Sequence, residues 1–211
     1  MVMDQKSNRT SLNGTEDTRL TLRVADTFVP KFFDLLQAGF SVKAVTGESI
    51  KAFLCGQLGL SEEYVETRIQ TLFLDSKPVD DAATASIEDG SRLALSAAMP
   101  GVVGALLRKG GRYSAMRRGI SYQTQHNVPG EKTGWVTIKL FNLILKEIGP
   151  VFLANGVWIT GRAVQDFFSR LPESWFENIL KIELDGNTIE SDALLNQMWS
   201  GKHVFTKVIS V

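Results

Sequence analysis

The most prominent chemical feature of this sequence is a basic run near its middle. Five cations lie close together there, interleaved with apolar side chains: Arg108, Lys109, Arg112, Arg117 and Arg118. Such a run can grip the phosphates of RNA, DNA or a nucleotide, with Tyr113 as a stacking surface. The alternative is a linker that docks its apolar residues on a domain while its arginines face water or pair with acidic loops such as Asp80-Asp81.

Overall composition favours the linker interpretation of this run. The chain carries 23 Lys plus Arg and 23 Asp plus Glu, so its formal net charge is zero and no global field attracts nucleic acid or an anionic membrane. The sequence also contains no known RNA-binding motif. We therefore expect nucleic acid to be the less favoured partner of the run.

No other group of residues has the spacing of a catalytic or metal site. Neither His126 nor His203 has a second His, Cys or carboxylate at metal-ligand spacing. Asp80 and Asp81 are adjacent, so their side chains point apart and cannot share one substrate without special geometry. Phosphate-binding, dinucleotide, hydrolase and metalloprotease motifs are all missing. We expect no enzymatic activity, no cofactor and no metal.

The elements on either side of the basic run form two similar series. LTLRV (Leu20 to Val24) matches VTIKL (Val136 to Leu140), and comparable elements follow in the same order. The matched positions are Gly39 with Gly156, Gly47 with Gly161, Asp75 with Asp185, and Gly90 with Gly201. The series predicts a flexible N-terminal tail (residues 1–18), a first domain (19–100), a basic, partly helical linker (101–133) and a second domain (134–211).

The second series gives the clearest local signals. VTIKL alternates in the manner of a half-buried strand, and Thr160 can cap the helix that follows it. Asp185-Gly186 is suited to a tight hairpin turn because both positions tolerate positive φ. The helix stripe is Val164, Phe167, Phe168 and Leu171. Residues 141–156 are compatible with a short helix or a wide loop, and Pro150 limits any helix there.

Both series read strand, strand, helix, strand, turn, strand, which predicts an α+β fold of two tandem β-grasp (ubiquitin-like) domains. Each domain would pack its one main helix across one face of a small mixed sheet. In this plan the first and last strands lie side by side in the middle and run parallel, so they should be apolar on both faces.

The segment VTIKLFNLILKEIGP resembles the opening of the ThiS and molybdopterin-synthase small-subunit sulfur carriers. The helix after a Gly/Thr step and the Asp89-Gly90 pair before a last strand are also similar to that family. In the first series, the exit through Met99-Pro100-Gly101 is similar as well. The resemblance implies a β-grasp fold.

The family's chemistry depends on a free C-terminal Gly-Gly, whose carboxylate is adenylated and converted to a thiocarboxylate. This chain ends Ser210-Val211, so the second series departs from the family at that point. The pair Gly110-Gly111 resembles the basic Gly-Gly tail of ubiquitin-like proteins, but its use would require cleavage after Gly111. The alternative is a flexible joint in a linker, because glycine pairs are common in loops.

These observations predict a non-catalytic, ubiquitin-like protein that acts through protein–protein contact. All four tryptophans belong to the second series, and a domain of this size rarely hides four indoles completely. Trp135 and Trp158 are the candidates for an interaction surface. We expect a cytoplasmic protein, because the opening residues do not form a signal peptide and no apolar run is long enough to span a membrane.

Overall fold

The computed structural model describes residues 16–117, 121–122 and 132–211. Within them the chain is α+β, which confirms the predicted class. The strands are β1 Glu16–Val24, β2 Phe40–Thr46, β3 Thr71–Leu74, β4 Lys77–Pro78, β5 Arg92–Ser96, β6 Lys132–Phe141, β7 Val157–Thr160, β8 Ile179–Leu184, β9 Asn187–Thr188 and β10 Lys202–Ser210. The α-helices are α1 Phe33–Ala38, α2 Ile50–Ala52, α3 Glu62–Thr67, α4 Gly101–Leu107, α5 Asn142–Asn155, α6 Gly161–Phe168, α7 Glu173–Phe176 and α8 Ser191–Leu195.

Most of the predicted N-terminal tail, residues 1–15, lies outside the described part of the chain. Its last three positions do not match the prediction, because β1 begins at Glu16. Thr18 is buried and pairs with Val204 of β10. Pairing with a neighbouring strand therefore extends β1 beyond the apolar core of its sequence.

The chain divides into two compact units. The central unit comprises Pro30–Phe152, and the terminal unit comprises residues 16–29 together with Leu153–Val211. The strand order in the central unit is β4-β3-β5-β6-β2, and in the terminal unit it is β7-β10-β1-β8-β9. Each unit has a parallel pair in its middle, β5 with β6 and β1 with β10, while the other pairs are antiparallel.

The central parallel pairs join the two sequence series crosswise. β1 opens the first series, yet it pairs with β10, which closes the second; β6 opens the second series and pairs with β5, which closes the first. Both opening strands alternate apolar and polar residues in the same way, so the pattern does not specify with which closing strand each one pairs. The compact units therefore follow other boundaries than residues 19–100 and 134–211, and that division stays a prediction about sequence repeats.

Three of the matched pairs of positions share a positive φ. The φ values are 121° and 95° at Gly39 and Gly156, 49° at both Asp75 and Asp185, and 83° and 73° at Gly90 and Gly201. The fourth pair differs. Gly47 has φ 89°, whereas Gly161 is required for space, because a Cβ there would lie 1.8 Å from the carbonyl oxygen of Trp199.

Several local predictions in the second series are confirmed. The Thr160 hydroxyl accepts a hydrogen bond from the Ala163 amide at 3.3 Å and caps α6. Asp185 and Gly186 both have positive φ in the turn between β8 and β9. Val164, Phe167 and Phe168 are buried on α6, but Leu171 lies beyond the end of the helix and is half-exposed.

Residues 142–155 form helix α5, with Pro150 inside it. The wide-loop alternative for this segment is therefore wrong. Four apolar side chains along the helix are buried, and their burial outweighs the backbone hydrogen bond that proline cannot donate. They are Ile144, Leu145, Ile148 and Leu153.

An aromatic cluster forms much of the core of the terminal unit. Its rings lie 4.7 to 6.3 Å from their neighbours, centroid to centroid, and belong to Phe28, Phe167, Phe168, Trp175 and Phe176. Such contacts add to the stabilisation from burial. Among the described residues, no helix is long and apolar enough to cross a membrane.

Candidate interaction surface

The strands carry most of their charge as cations. Their Lys and Arg residues are Arg19, Arg23, Lys43, Lys77, Arg92, Lys132, Lys139, Lys181, Lys202 and Lys207, whereas their Asp and Glu residues are Glu16, Asp17 and Glu183. Although the net charge of the chain is zero, the strands of both units carry more cations than anions. Local charge of this kind, rather than net charge, governs what a surface attracts.

Strand alternation places several of these cations on one face of the terminal unit's sheet. Leu20, Leu22 and Val24 of β1 are fully buried, which directs Arg19 and Arg23 to the opposite face. On β10, burial of Val204, Thr206 and Val208 directs Phe205 and Lys207 to that same face. We call this the outer face of the terminal unit.

An aromatic and basic cluster lies on the outer face. Phe205 pairs in register with Arg19 on one side and Trp158 on the other, and the two rings lie 5.1 Å apart at an interplanar angle of 52°. The Arg19 guanidinium carbon lies 5.5 Å from the centre of the Phe205 ring, and the Lys207 Nζ lies 6.0 Å from it. These distances fit cation–π contacts. We call Arg19, Arg23, Trp158, Phe205 and Lys207 the aromatic–basic patch.

The hairpin between β8 and β9 fixes the backbone of the patch at Arg19. The Arg19 amide donates to Asp185 Oδ1 at 2.8 Å, and the Asp185 amide donates to the Arg19 carbonyl at 2.8 Å. Asp75 makes the same pair of hydrogen bonds to Arg92 in the central unit, at 2.8 and 2.9 Å. The matched aspartates therefore hold an arginine of a central strand in both units.

Two further groups border the patch. Lys181 Nζ lies 2.6 Å from Glu183 Oε1, and this ammonium holds the pKa of the Glu183 carboxyl below its usual value. His203 pairs in register with Asp17, and burial lowers the pKa of its imidazole despite the opposing effect of that carboxylate. His203 Nδ1 is buried and has no hydrogen-bond partner among the described residues.

The predicted surface tryptophans lie on different strands of the two units, Trp158 on β7 and Trp135 on β6. Trp158 and Trp135 are both half-exposed, and each points away from the buried face of its own sheet. Trp135 pairs in register with Lys43, and its amide donates to Asp89 Oδ1 at 2.7 Å. Trp175 and Trp199 are buried, so they belong to the core.

The basic run does not form a single set of phosphate ligands. Arg108 and Arg112 are exposed, whereas Lys109 is half-buried and donates from Nζ to the Val65 carbonyl at 3.0 Å. Burial lowers the pKa of the Lys109 ammonium. Arg118 lies outside the described residues.

Arg117 points inward and anchors the run. Its side chain is 4% exposed, and it donates to Asp80 Oδ1 at 2.7 Å and to Asp80 Oδ2 at 3.1 Å. It also donates to the carbonyls of Leu106 and Arg108 at 2.7 and 3.2 Å, and to the Ser121 hydroxyl at 2.7 Å. The alternative prediction, that arginines of this run pair with the Asp80-Asp81 loop, is confirmed for Arg117.

The Gly110-Gly111 pair lies in a turn attached to the same anchor. Gly110 has φ 59°, and its amide donates to Asp80 Oδ1 at 3.1 Å, while the Gly111 amide donates to the Arg108 carbonyl at 3.1 Å. The conformation of Gly110 is one that L-residues rarely adopt, which explains a glycine there.

A cavity of about 230 Å³ opens beside this turn in the central unit. Its lining includes the charged residues Lys51, Glu66, Asp80, Asp81 and Lys109. Lys51 Nζ lies 2.8 Å from Glu66 and 2.9 Å from Glu62, and these carboxylates raise the pKa of its ammonium. Two of the cavity's charged residues, Lys51 and Glu66, pair with each other, and Asp80 pairs with Arg117. Among the described residues, no group of three or more His, Cys, Asp or Glu side chains could hold a metal ion.

Sequence reasoning identified Trp158 but missed the rest of the patch. Phe205 stands in HVFTKVISV, where the alternation of buried Val204, Thr206 and Val208 could have placed Phe205 and Lys207 on the outer face. The neighbouring position of Arg19 could not have been found in this way, because β1 pairs with the last strand of the other series.

Compared with known proteins, the chain matches no protein-family model, no curated protein and no solved structure.

Proposed function

We propose that the protein is a non-catalytic interaction protein of the ubiquitin-like class, built from β-grasp units that have exchanged their first strands. The strand order β4-β3-β5-β6-β2 of the central unit supports this, with β6 in the place of a first strand. In the terminal unit β1 and β10 have traded places in the middle of the sheet. The parallel central pair and its antiparallel neighbours are nevertheless the same.

The observation that carries the proposal is the aromatic–basic patch. Two aromatic rings and three cations share one sheet face, and none of the three cations is buried. Tryptophan and arginine are enriched among the residues that contribute most to protein–protein binding, because they combine apolar area with hydrogen-bonding groups. A patch of this composition is suited to contact with another protein.

Two alternatives remain as separate proposals with their own tests. A carrier activated at Gly111 requires a processed chain, so the intact mass of the endogenous protein would reveal it. Binding of nucleic acid by the basic run requires loss of affinity when Arg108 and Arg112 are replaced, together with steep salt dependence. The inward position of Arg117 reduces the number of cations that such binding could use.

Differential capture from the source cell tests the main proposal. The baits are the full chain, a Phe205→Thr variant and a Leu180→Thr control. Threonine preserves strand propensity, and Leu180 is an exposed residue of β8 outside the patch. We expect a set of proteins that the full chain and the control retain and that Phe205→Thr loses, with all three baits showing the same thermal unfolding. Identical protein sets on the three baits would reject the proposal.

A further inference from the structure

The charges on the outer face point to the chemistry of its partner. We propose that the aromatic–basic patch binds an acidic peptide segment of a partner protein, an inference that rests on the proposed function. Carboxylates of the segment contact Arg19, Arg23 and Lys207, and an apolar side chain of the segment packs against Phe205 and Trp158.

The cations of the patch have no close ion pair among the described residues, although Arg23 attracts the Glu183 carboxylate over a longer distance. Within the described residues, no carboxylate lies within 4.0 Å of the charged groups of Arg19, Arg23 or Lys207. Lys181, which also lies on the outer face, is paired with Glu183 at 2.6 Å. The patch therefore keeps an excess of positive charge, which attracts an anionic partner and suppresses a cationic one.

The geometry of Arg19 suits carboxylates in particular. Its backbone is held by Asp185, and its guanidinium lies beside the Phe205 ring at 5.5 Å. A guanidinium on a ring keeps the N–H groups at its edge available, and their fork matches a carboxylate in a bidentate arrangement. Because contacts within the protein already orient this side chain, little conformational entropy is lost when it binds.

The same geometry disfavours a single-stranded nucleic acid. Successive bases need separate, flat aromatic surfaces on which to stack. Here the Trp158 and Phe205 rings contact each other at an angle of 52°, and two cations lie near the Phe205 ring. Asp17 and Glu183 also lie on the outer face and interrupt any longer basic track. A short acidic segment fits these limits better than a chain of phosphates.

Selection from a library of short random peptides displayed on phage, with the full-length protein as target, tests the inference. We expect the enriched peptides to be rich in Asp and Glu and to contain an aromatic or aliphatic residue. A synthetic copy of one such peptide should bind about tenfold more weakly to Arg19→Glu. Arg162→Glu is the matched control, because Arg162 is exposed on α6 and the substitution changes the net charge equally. Its affinity should equal that of the unchanged protein.

A second variant, Arg19→Lys, and competition by an oligothymidylate complete the test. Arg19→Lys keeps the charge but loses the fork, so it should weaken peptide binding while leaving thermal unfolding unchanged. Neutral or basic peptides, no enriched peptide, equal loss with Arg162→Glu, or displacement of the peptide by an oligothymidylate would each overturn the inference. If capture is lost with Phe205→Thr but the selected peptides are not acidic, the inference fails while the proposed function stands. If no protein distinguishes the baits, the proposed function itself fails.

Discussion

Asp185 holds the backbone of Arg19 through two reciprocal hydrogen bonds, each 2.8 Å long. The pair joins the turn of one sequence series to the first strand of the other, and it places the Arg19 side chain next to Phe205. The matched pair, Asp75 and Arg92, joins a turn to the last strand of its own series. The same pair of aspartate–backbone hydrogen bonds thus occurs in two different strand arrangements.

Two substitutions of Asp185 distinguish its role as a hydrogen-bond acceptor from its tolerance of positive φ. Asp185→Ala removes the side-chain acceptor and places alanine at φ 49°, so we expect the free energy of unfolding in urea to fall by about 2 kcal/mol. Asp185→Asn keeps an acceptor oxygen and tolerates positive φ, so it should change stability by less than about 0.5 kcal/mol. Equal stability of the two variants would contradict the role given to the carboxylate oxygen.

Replacing Arg117 should weaken the attachment of the basic run to the Asp80 loop. Arg117→Ala leaves the partly exposed Asp80 without its bidentate partner and removes the donors to Leu106 and Arg108, and we expect a loss of about 2 kcal/mol in unfolding free energy. Hydrogen exchange of the Lys109 to Gly111 amides should accelerate in parallel. Arg112→Ala, at an exposed position of the same run, is the control and should change neither quantity. Unchanged exchange in Arg117→Ala would show that other contacts hold the turn.

His203 should make stability sensitive to mild acid. Burial lowers the pKa of its imidazole in the folded state, so the unfolded chain binds the proton more readily below the ordinary value of 6.5. The contribution of His203 to stability is therefore complete well above that pH and declines as the pH falls below it, at a higher pH than the titration of Glu183, whose carboxyl pKa is lowered. His203→Gln should flatten this decline in urea unfolding. A decline of unchanged size in this variant would assign the effect to another group.

Two fragments that divide the chain between the two series should each lack strands that complete their sheets. A fragment of residues 1–122 contains β1, whose pairing strands β8 and β10 lie in the other fragment, residues 123–211. That second fragment contains β6, whose partners β2 and β5 lie in the first. We expect poor amide dispersion in the NMR spectrum of each fragment alone and the spectrum of the intact chain after mixing. Well-dispersed spectra from the separate fragments would mean that each series can close its own sheet.

The sequence allowed the local elements to be predicted where short-range chemistry decides them. Thr160 capping, the Asp185-Gly186 turn and the alternation around Ile138 depend on neighbouring residues. The pairing of β1 with β10 and of β6 with β5 could not be predicted, because Leu20 to Val24 and Val136 to Leu140 have the same pattern. Pro150 indicated a limit to any helix in this segment, yet helix α5 continues through it because burial of its apolar side chains stabilises the helix.

The candidate site was predictable only in part for the same reason. Trp158 stood out by composition, whereas the position of Arg19 beside Phe205 depends on a strand pairing between residues far apart in sequence. The Asp80-Asp81 loop was recognised as a partner for arginines, but choosing Arg117 over Arg108 or Arg112 requires knowledge of which side chain is buried. Long-range pairing and burial are the properties that a single sequence specifies least directly.

Photo-crosslinking in the source cell tests the central claim most directly. A photoreactive phenylalanine analogue replaces Phe205 in one full-length variant and Met116, an exposed residue of the basic run, in another. We predict a protein adduct from position 205 that disappears when Arg19→Glu is added, and no such adduct from position 116. Adducts from position 116 alone, or adducts to nucleic acid from position 205, would contradict the claim that the outer face of the terminal unit is a protein-binding surface.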